Sequence, residues 1–439
     1  MRGLVLTLGA FLAAACAHRG PKNESVKIRQ VQEFQLDNGL RVFLLEDRSL
    51  PRVSIQALVR SGSLYEEVPG VNSLMVNLLE EGTRSRGRDE LAGAIADLGS
   101  SIESAAGEDF STISLSGLSS DEQKIIEIFA DIMMNPAFRS EDFDRLRATT
   151  LVSLQRKKDD PGTVASEGLA RSLFGIHPYG RDVQGTEESL SAMTREQIVS
   201  HWSRYWIPNR TKIALVGNFS DKGAALLKQL FSGWKPQNSP DPERVAVDQV
   251  SKFQLEFHQK KGLKQTQIRM GRIGIERGHP DYLKLRLAAV VLGGGWLSRL
   301  NQVVREKKGY TYSIDSAFEV NRQPGAFVIS TFTKNETARA AVEEILSIYS
   351  EFVRSGITED ELKIAKALLI GQFPRAIETA DLTAFNIMAL EEYGVPRSYL
   401  TDFNKLVDRI TVSEVNSAIR RHLHPENLKV VVYGDFQKW

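Results

Sequence analysis

The chain has 439 residues, 42% of them hydrophobic and 25% charged, so it is long enough and apolar enough to bury more than one core. This composition excludes a disordered chain and a fibrous one. The formal net charge is +1, from 56 basic and 55 acidic side chains, and this near balance gives no reason to expect nucleic acid as a partner.

The first residues predict an export signal. They contain the basic residue Arg2, an apolar run from Leu4 to Ala15, and small residues before Cys16. Because Cys16 is the only cysteine, the chain cannot form an internal disulfide. The sequence AAAC resembles a bacterial lipoprotein processing site, which implies that Cys16 becomes a lipid-bearing N-terminus. A plain secretory signal and an uncleaved anchor are the alternatives.

On this interpretation, residues 1–15 are a signal peptide and residues 16–32 form a lipidated tail. The expected location is the bacterial cell envelope, where the lipid would anchor the chain to a membrane. Ala17, directly after the cysteine, favours the outer membrane, with the protein facing the periplasm. No other apolar run in the sequence is long enough to cross a bilayer.

Residues 70–83, GVNSLMVNLLEEGT, predict an amphipathic helix. Its apolar residues recur with helical spacing on one face, at Val71, Leu74, Met75, Leu78 and Leu79. Ser73 and Asn77 lie one turn apart on the other face with Val76 beside them, an arrangement that can offer two ligands and a base to one metal ion. Serine and asparagine are poor zinc ligands, and valine cannot accept a proton. Taken alone, the segment predicts an ordinary core helix.

The chain contains an internal duplication. Residues 193–219 align without gaps with residues 410–436, and the match of Thr194 with Thr411 sets the offset at 217 residues (411 − 194 = 217). Both copies predict a capped helix, a stop at proline, and a β-branched strand that ends at glycine.

The duplication predicts two halves of one design. The polar, proline-rich segment 235–249 is the expected linker between an N-terminal half, 33–234, and a C-terminal half, 250–439. Predicted strands such as RVFLLE and SIQALVRSG occur together with predicted helices. The expected fold class is α+β: two homologous α/β sandwich halves, each a mostly antiparallel sheet packed with helices.

Several longer motifs occur in order along both halves. They are LDNGLRVFLLED, RSGSLYEE, the segment 70–83 and DDPGTVASEGLARSLFGIHPYGRDVQGT in the first half, and LGGGWLSRLNQVVREKKGYTYSI in the second. Together they resemble the insulinase and pitrilysin family of zinc peptidases, and the resemblance covers residues 33–439. This family includes the mitochondrial processing peptidase and the core proteins of a respiratory complex.

The resemblance implies a degenerate zinc site. The family carries H-x-x-E-H in the segment that ends in Gly-Thr, with two zinc-binding histidines and a glutamate that activates water. Registered on that Gly-Thr pair, Ser73 and Asn77 stand at the histidine positions and Val76 at the glutamate. The family's third ligand, a glutamate on a later helix, falls at Ser153. We therefore expect no bound metal and no complete catalytic set in this chain.

The histidines suggest no replacement site. His177 lies in a motif that forms a structural turn in the family, and His422 and His424 do not share a helix face. Three others are isolated in the sequence, namely His201, His258 and His279.

The C-terminal half keeps a second family motif. In paired members one chain bears the zinc helix and the other bears an arginine and a tyrosine spaced as in REKKGYTY, here Arg305 and Tyr312. The resemblance implies that this pair positions substrate, because arginine offers donors to peptide carbonyls or carboxylates and a phenol can stabilise an oxyanion. Tyr310 is the local alternative to Tyr312, and a plain helix end followed by a strand is the structural alternative. The run Gly293–Gly295 predicts a tight turn between helices instead of a phosphate loop.

The resemblance implies a zinc-less subunit of a heterodimeric metalloendopeptidase. It would close the chamber and position peptide substrate for a homologous partner that carries H-x-x-E-H and the zinc. The alternative is a noncatalytic peptide-binding or scaffold lipoprotein of the cell envelope. The family pairs substrate onto the strand-like segment 100–117, but Glu103 and Ser104 replace the usual Asn-Ala there, so peptide binding at this edge is an open question.

Overall fold

The computed structural model describes residues 26–241, 247 and 252–436. The predicted signal peptide, 1–15, and the predicted lipidation site, Cys16, lie outside the described residues and stay predictions. Within the described ranges, no helix combines the length and the hydropathy needed to cross a membrane.

The N-terminal half is built on a six-stranded sheet. Its strands are β1 (Gln32–Gln35), β2 (Arg41–Glu46), β3 (Arg52–Val59), β4 (Ile102–Ala106), β5 (Ser111–Leu118) and β6 (Thr211–Gly217). Their order is β1-β2-β6-β3-β5-β4, which leaves β4 at one edge. Only β2 and β6 pair in parallel among these described strands, so the sheet is mostly antiparallel. The central strands are buried almost continuously because helices cover both faces of the sheet.

Eight helices of this half are described. They are α1 (Val71–Leu78), α2 (Arg88–Ala96), α3 (Glu122–Met134), α4 (Ser140–Lys157), α5 (Pro161–Phe174), α6 (Glu187–Ala192), α7 (Arg195–Tyr205) and α8 (Asp221–Ser232). The helix α1 lies within the segment 70–83 and contacts α4, α7 and the edge strand β4. The elements around the predicted degenerate site therefore come from three separate parts of the sequence.

The C-terminal half repeats this plan with a five-stranded sheet. Its strands are β7 (Gln254–Gln259), β8 (Gln265–Ile273), β9 (Ile314–Glu319), β10 (Ala326–Lys334) and β11 (Lys429–Gly434), in the order β7-β11-β8-β10-β9. Only β7 and β11 pair in parallel among these described strands. Its helices are α9 (Tyr282–Gly293), a π-helical segment (Asn301–Lys307), α10 (Ala338–Ser355), α11 (Glu359–Gln372), α12 (Ala380–Glu392), α13 (Ser398–Arg409) and α14 (Val412–His422).

The duplicated segments adopt the same structure. Helices α7 and α14 begin and end at the same offset of 217 residues (412 − 195 and 422 − 205). Each follows a threonine whose side chain accepts the backbone N–H of the third helical residue, and this capping box fixes where each helix begins. A short proline turn then leads into β6 in one half and β11 in the other. The predicted α+β fold with two homologous halves is confirmed.

One helix of each half packs on the sheet of the other half. Helix α5 packs on β8 and β11 of the second sheet, where Leu169 and Leu173 join Val328 and Val431 in a buried cluster. Helix α12 packs on β2, β3 and β6 of the first sheet, within the core that also contains Phe43. Because neither sheet is covered without the other half, the two halves stabilise each other through buried apolar surface.

A buried carboxylate joins the halves at the end of α12. The Glu392 side chain is fully buried and accepts hydrogen bonds from Lys212 (2.6 Å) and Arg60 of the first half and from Arg322 (2.9 Å) of its own half. Burial alone would raise the pKa of Glu392, but the charges of Lys212 and Arg60 outweigh it and hold this pKa below its ordinary value. The carboxylate is thus ionised and satisfied by three cations.

The turn between β9 and β10 inserts into the first half. The backbone N–H of Arg322 donates to Asp109 (2.8 Å), and the N–H of Gln323 donates to the hydroxyl of Tyr179 (3.3 Å). His177 accepts the N–H of Tyr179 at Nδ1, and its Nε2 lies 3.0 Å from the side-chain oxygen of Gln323. The motif HPYG therefore forms the predicted turn and also binds the second half.

Candidate functional site

A buried glutamate holds the start of α1. Glu66 accepts the backbone N–H groups of Gly70 (3.0 Å) and Asn72 (2.9 Å), two donors that the beginning of a helix otherwise leaves unsatisfied. Gly70 has φ of 86°, a conformation that favours glycine, and a Cβ there would lie 2.4 Å from the Gln184 carbonyl oxygen. Burial raises the pKa of Glu66 to about 7, against the opposing effect of these two hydrogen bonds.

His201 on α7 completes the support of α1. Its Nε2 lies 3.1 Å from the hydroxyl of Ser61 and 3.3 Å from the side-chain oxygen of Asn72, and Asn72 also donates to Ser111 (2.9 Å). Burial lowers the pKa of His201 to about 3, and the positive charges of Arg204 and Arg210 act in the same direction. The imidazole is therefore neutral and structural.

We expect acid to destabilise the protein through His201. Because burial depresses its pKa from 6.5 to about 3, the unfolded chain binds a proton in this window and the folded chain does not. The stabilisation is complete above pH 6.5 and is lost as the pH falls toward 3. In urea unfolding, the stability difference between wild type and His201→Gln should shrink by about 2 kcal/mol from pH 7.5 to pH 5. An unchanged difference would contradict a neutral, buried His201.

The structure buries α1 more completely than its sequence pattern predicts. The five apolar residues of the predicted face are buried, but Ser73 and Val76 on the opposite face are buried as well, at 7% and 0% exposure. Only Asn77 of the three degenerate positions on this helix reaches solvent, and Ser153 on α4 is half-buried. The face opposite the five apolar residues is therefore largely covered, in a helix that contacts α4, α7 and β4.

These residues do not fit a zinc ion. Zinc requires imidazole, thiolate or carboxylate ligands, and Ser73, Asn77 and Ser153 offer two hydroxyls and an amide. Val76 places an apolar side chain, closed off from water, where the family has its proton acceptor. No reaction step can be assigned to these four positions.

The edge strand β4 lies beside this helix. Ser104 donates a hydrogen bond to Glu80, which joins the end of the α1 segment to the strand, while Glu103 is exposed. In the described residues β4 pairs with β5 alone, so its outer backbone groups face away from the sheet. Glu103 and Ser104, which stand where the family usually has Asn-Ala, therefore change the side chains of this edge strand and leave its backbone extended.

In the second half, the Arg/Tyr motif follows the helix that is equivalent to α1. Helix α9 packs on β9, the edge strand of the second sheet, as α1 packs on β4. At Gly293 a Cβ would lie 2.6 Å from the backbone nitrogen of Ser316 on β9, so glycine permits the close approach of helix and strand. The glycine run ends α9 and leads to the π-helical segment, as the predicted turn between helices requires. π-Helical segments occur frequently at functional sites.

Arg305 lies between two aromatic rings. Its guanidinium carbon is 3.7 Å from the ring centroid of Trp296 and 5.1 Å from that of Tyr312, and both distances are typical of cation–π contacts. Tyr312 is 77% exposed, and Tyr310 packs against the core. The structure thus brings Arg305 and Tyr312 together and places Tyr310 against the core.

Trp296 is the residue that sequence reasoning missed. It follows the glycine run nine positions before Arg305, and nothing in the spacing indicates that the two side chains meet. The residue type was a signal, because a turn does not require a large apolar side chain. In the structure this tryptophan is 65% exposed.

Three residues that the sequence leaves separate come together near the start of α9. Side-chain atoms of His279, Asp281 and His422 that could bind a metal lie within 4.8 Å of one another, so the treatment of His279 as isolated was wrong. However, Asp281 already accepts hydrogen bonds from Lys284 (2.8 Å), Arg421 and His422 (3.0 Å). These contacts outweigh the effect of burial and hold the pKa of Asp281 far below its ordinary value.

The protonation pattern of this cluster also disfavours a metal. His279 uses the lone pair of Nδ1 to accept the backbone N–H of Asp281 (3.0 Å), and two cationic side chains adjoin the carboxylate.

We expect a tenfold excess of zinc to leave the melting temperature unchanged at pH 7. Asp281→Asn should lower stability by about 1–3 kcal/mol, because it weakens three hydrogen bonds at a buried group. A zinc-dependent rise that His279→Ala abolishes would contradict this interpretation.

A cavity between the two halves lies away from the Arg/Tyr motif. It has a volume of about 530 Å³ and is formed where α4 and α5 face the second sheet. Its lining carries both signs of charge, including Lys157, Glu167, Arg171, Arg269 and Glu319. Neither Arg305 nor Tyr312 lines it.

Comparison with known proteins identifies the family. Residues 41–187 match Insulinase (Peptidase family M16), and residues 192–369 match the Peptidase M16 inactive domain. An uncharacterized zinc protease of Mycobacterium bovis is 28% identical over 404 residues, covering 91% of this chain and 92% of its own. A non-peptidase homologue from Helicobacter pylori is 24% identical over 448 residues, covering 99% of this chain and 98% of its own.

Solved structures agree with this assignment. A peptidase M16 inactive domain from Pseudomonas fluorescens superposes with a TM-score of 0.86 and 27% identity, over 93% of this chain and 99% of that one. The periplasmic protease PqqL from Escherichia coli shares the fold at a TM-score of 0.76 and 14% identity, over 93% of this chain and 48% of that one. With two matching halves, a duplicated sheet and helix plan, and a degenerate H-x-x-E-H segment, this chain belongs to the insulinase family, peptidase family M16.

Proposed function

We propose that the chain is the zinc-less subunit of a two-chain metalloendopeptidase. A homologous partner supplies H-x-x-E-H and the zinc, and this chain closes the chamber and positions the peptide with Arg305 and Tyr312. The observation that carries the proposal is the contrast between the two sites. Residues that cannot bind zinc fill the first, while the second keeps a guanidinium and an exposed phenol side by side.

The chemistry of the pair suits a peptide backbone. Among the described residues, the guanidinium of Arg305 donates no hydrogen bond, and it forms an ion pair with Glu306, whose carboxylate oxygen lies 3.6 Å from Nε. Its donors are therefore available to peptide carbonyls or carboxylates. The hydroxyl of Tyr312, on a largely exposed ring, can stabilise the oxyanion that forms as the partner's water attacks.

A mixing experiment tests the proposal. The isolated chain should release no chelator-sensitive product from a quenched fluorescent peptide, with or without added zinc. An H-x-x-E-H subunit of the M16 family from the same host should gain turnover when this chain is added, up to a one-to-one ratio. Zinc-dependent turnover by the isolated chain would instead make it an independent peptidase.

The second candidate is a noncatalytic peptide-binding or scaffold protein. It is favoured by the replacement of all four functional positions and by the similarity to the Helicobacter pylori relative, which is described as a non-peptidase homologue. It predicts that the chain associates with assemblies whose members lack H-x-x-E-H. In the mixing experiment, a subunit that carries H-x-x-E-H would then gain no turnover from this chain.

The location is proposed from the sequence alone. A lipid on Cys16 would hold the chain at the outer membrane with its folded part in the periplasm. Metabolic labelling with a palmitate analogue should mark the wild-type chain and leave Cys16→Ala unmarked. Labelling of both would contradict lipidation at this cysteine.

A further inference from the structure

The surface around Arg305 combines one cation with three exposed apolar side chains. Trp296, Leu297 and Tyr312 are 65%, 68% and 77% exposed, and the side chain of Arg305 is 18% exposed between the two rings. Isolated exposed apolar residues are ordinary, but a cluster of them around a half-buried cation is typical of a binding surface.

The planar guanidinium of Arg305 determines how an acceptor can bind. Its carbon lies within cation–π distance of both Trp296 and Tyr312. Its N–H groups lie in the guanidinium plane, so an acceptor binds at the edge of the group. A planar, two-oxygen acceptor matches that edge through two parallel hydrogen bonds.

Two other stacked arginines of this chain, Arg299 and Arg210, are already satisfied by the protein. Arg299 lies over Phe352 and forms two hydrogen bonds, of 2.7 and 2.8 Å, with the carboxylate of Glu361. Arg210 lies over Tyr65 and donates to two backbone carbonyls. In those cases the protein supplies both the ring and the acceptor. At Arg305 the rings are present, and the carboxylate of Glu306, with its oxygen 3.6 Å from Nε, forms an ion pair that is too long for a hydrogen bond.

We propose that Trp296, Arg305 and Tyr312 form a receptor for a carboxylate, with Trp296 as a positioning residue. The carboxylate binds the edge of Arg305, and an adjacent apolar side chain of the ligand packs on Trp296 and Leu297. This inference rests on the proposed function and adds the substrate class, which is a peptide with a carboxylate next to an apolar residue. The carboxylate comes from a C-terminus or from an acidic side chain.

Fluorescence anisotropy on the full-length chain in detergent tests the receptor. The probes are three fluorescein-labelled peptides of equal length and similar apolar content: one ends in Leu-Phe with a free carboxylate, one is amidated with an internal Glu-Phe, and one is amidated with Gln-Phe. A carboxylate-bearing probe should bind about tenfold more tightly than the Gln-Phe probe. The stronger of the two carboxylate probes identifies the source of the group.

Variants separate positioning from simple loss of structure. Trp296→Ala should weaken binding of the carboxylate probe about fivefold and reduce its advantage over the Gln-Phe probe, whereas Trp296→Phe should restore most of both. Arg305→Lys keeps the charge but lacks the planar edge, so it should lose most of the discrimination. Leu50→Ala, at an equally exposed residue on the turn between β2 and β3, is the matched control and should bind like wild type.

Three results would overturn the receptor: equal binding of all three probes, no binding of any of them, or wild-type discrimination by Trp296→Ala. None of these would decide the proposed function, which is measured separately. If Arg305→Ala still lowers turnover of the two-chain complex while the probes bind equally, only the substrate class is wrong. If Arg305→Ala leaves turnover unchanged, the proposed function itself fails.

Discussion

Replacing Glu392 by alanine is expected to lower the free energy of unfolding by about 3–5 kcal/mol, the range for breaking a buried ion pair from one side. The carboxylate is fully buried, and its removal leaves Arg60, Lys212 and Arg322 without their shared partner. Lys212 suffers most, because its side chain is only 8% exposed. Urea unfolding followed by far-UV circular dichroism measures the change.

The neighbouring residue provides the control. Glu391 forms ion pairs with Arg41 and Arg397, whose side chains are 35% and 30% exposed, so solvent screens these contacts. Glu391→Ala should therefore cost at most about 1 kcal/mol. Similar losses for the two variants would show that the charge cluster does not join the halves. Because the halves exchange α5 and α12, we also expect Glu392→Ala to unfold in one transition.

The second large effect concerns turnover. In the assembled two-chain complex, Arg305→Ala with Tyr312→Phe should reduce turnover about 100-fold or more, since removing a single donor to a developing oxyanion costs that much. The loss should leave the association of the two chains intact, because Tyr312 is exposed and neither side chain belongs to a core cluster. Peptide hydrolysis and size-exclusion chromatography on the same samples measure both properties.

Tyr310→Phe is the control for this loss of turnover. It removes the phenol hydroxyl of a neighbouring tyrosine that packs against the core, leaves Arg305 and Tyr312 in place, and should keep turnover within about twofold of wild type. A double variant at Arg305 and Tyr312 with full activity would contradict substrate positioning by this pair.

Local patterns predicted much of the fold. Repeated threonine caps and proline stops predicted α7 and α14, and helical spacing predicted α1. The pairing of Arg305 with Tyr312 came from the family resemblance and is reproduced in the structure. These features depend on residues that are near one another in the sequence, where spacing determines geometry.

Contacts between distant residues could not be predicted in this way. Glu392 meets Arg60 across 332 residues, and His422 meets Asp281 across 141. The burial of Val76 depends on three elements that fold over α1, and one sequence contains no information on which helix covers which face. The contact of Trp296 with Arg305 could not be predicted either, because the turn after α9 determines where the tryptophan ring lies.

The proposed function requires that this chain works beside a zinc-bearing relative. We would solubilise the protein from its native membrane, capture it by a C-terminal tag, and determine the co-purifying chains by mass spectrometry and the zinc content by elemental analysis. We expect a second M16 chain with H-x-x-E-H, present in equal amount, and one zinc per pair of chains. A zinc-free preparation that contains this chain alone, or with unrelated proteins, would contradict it.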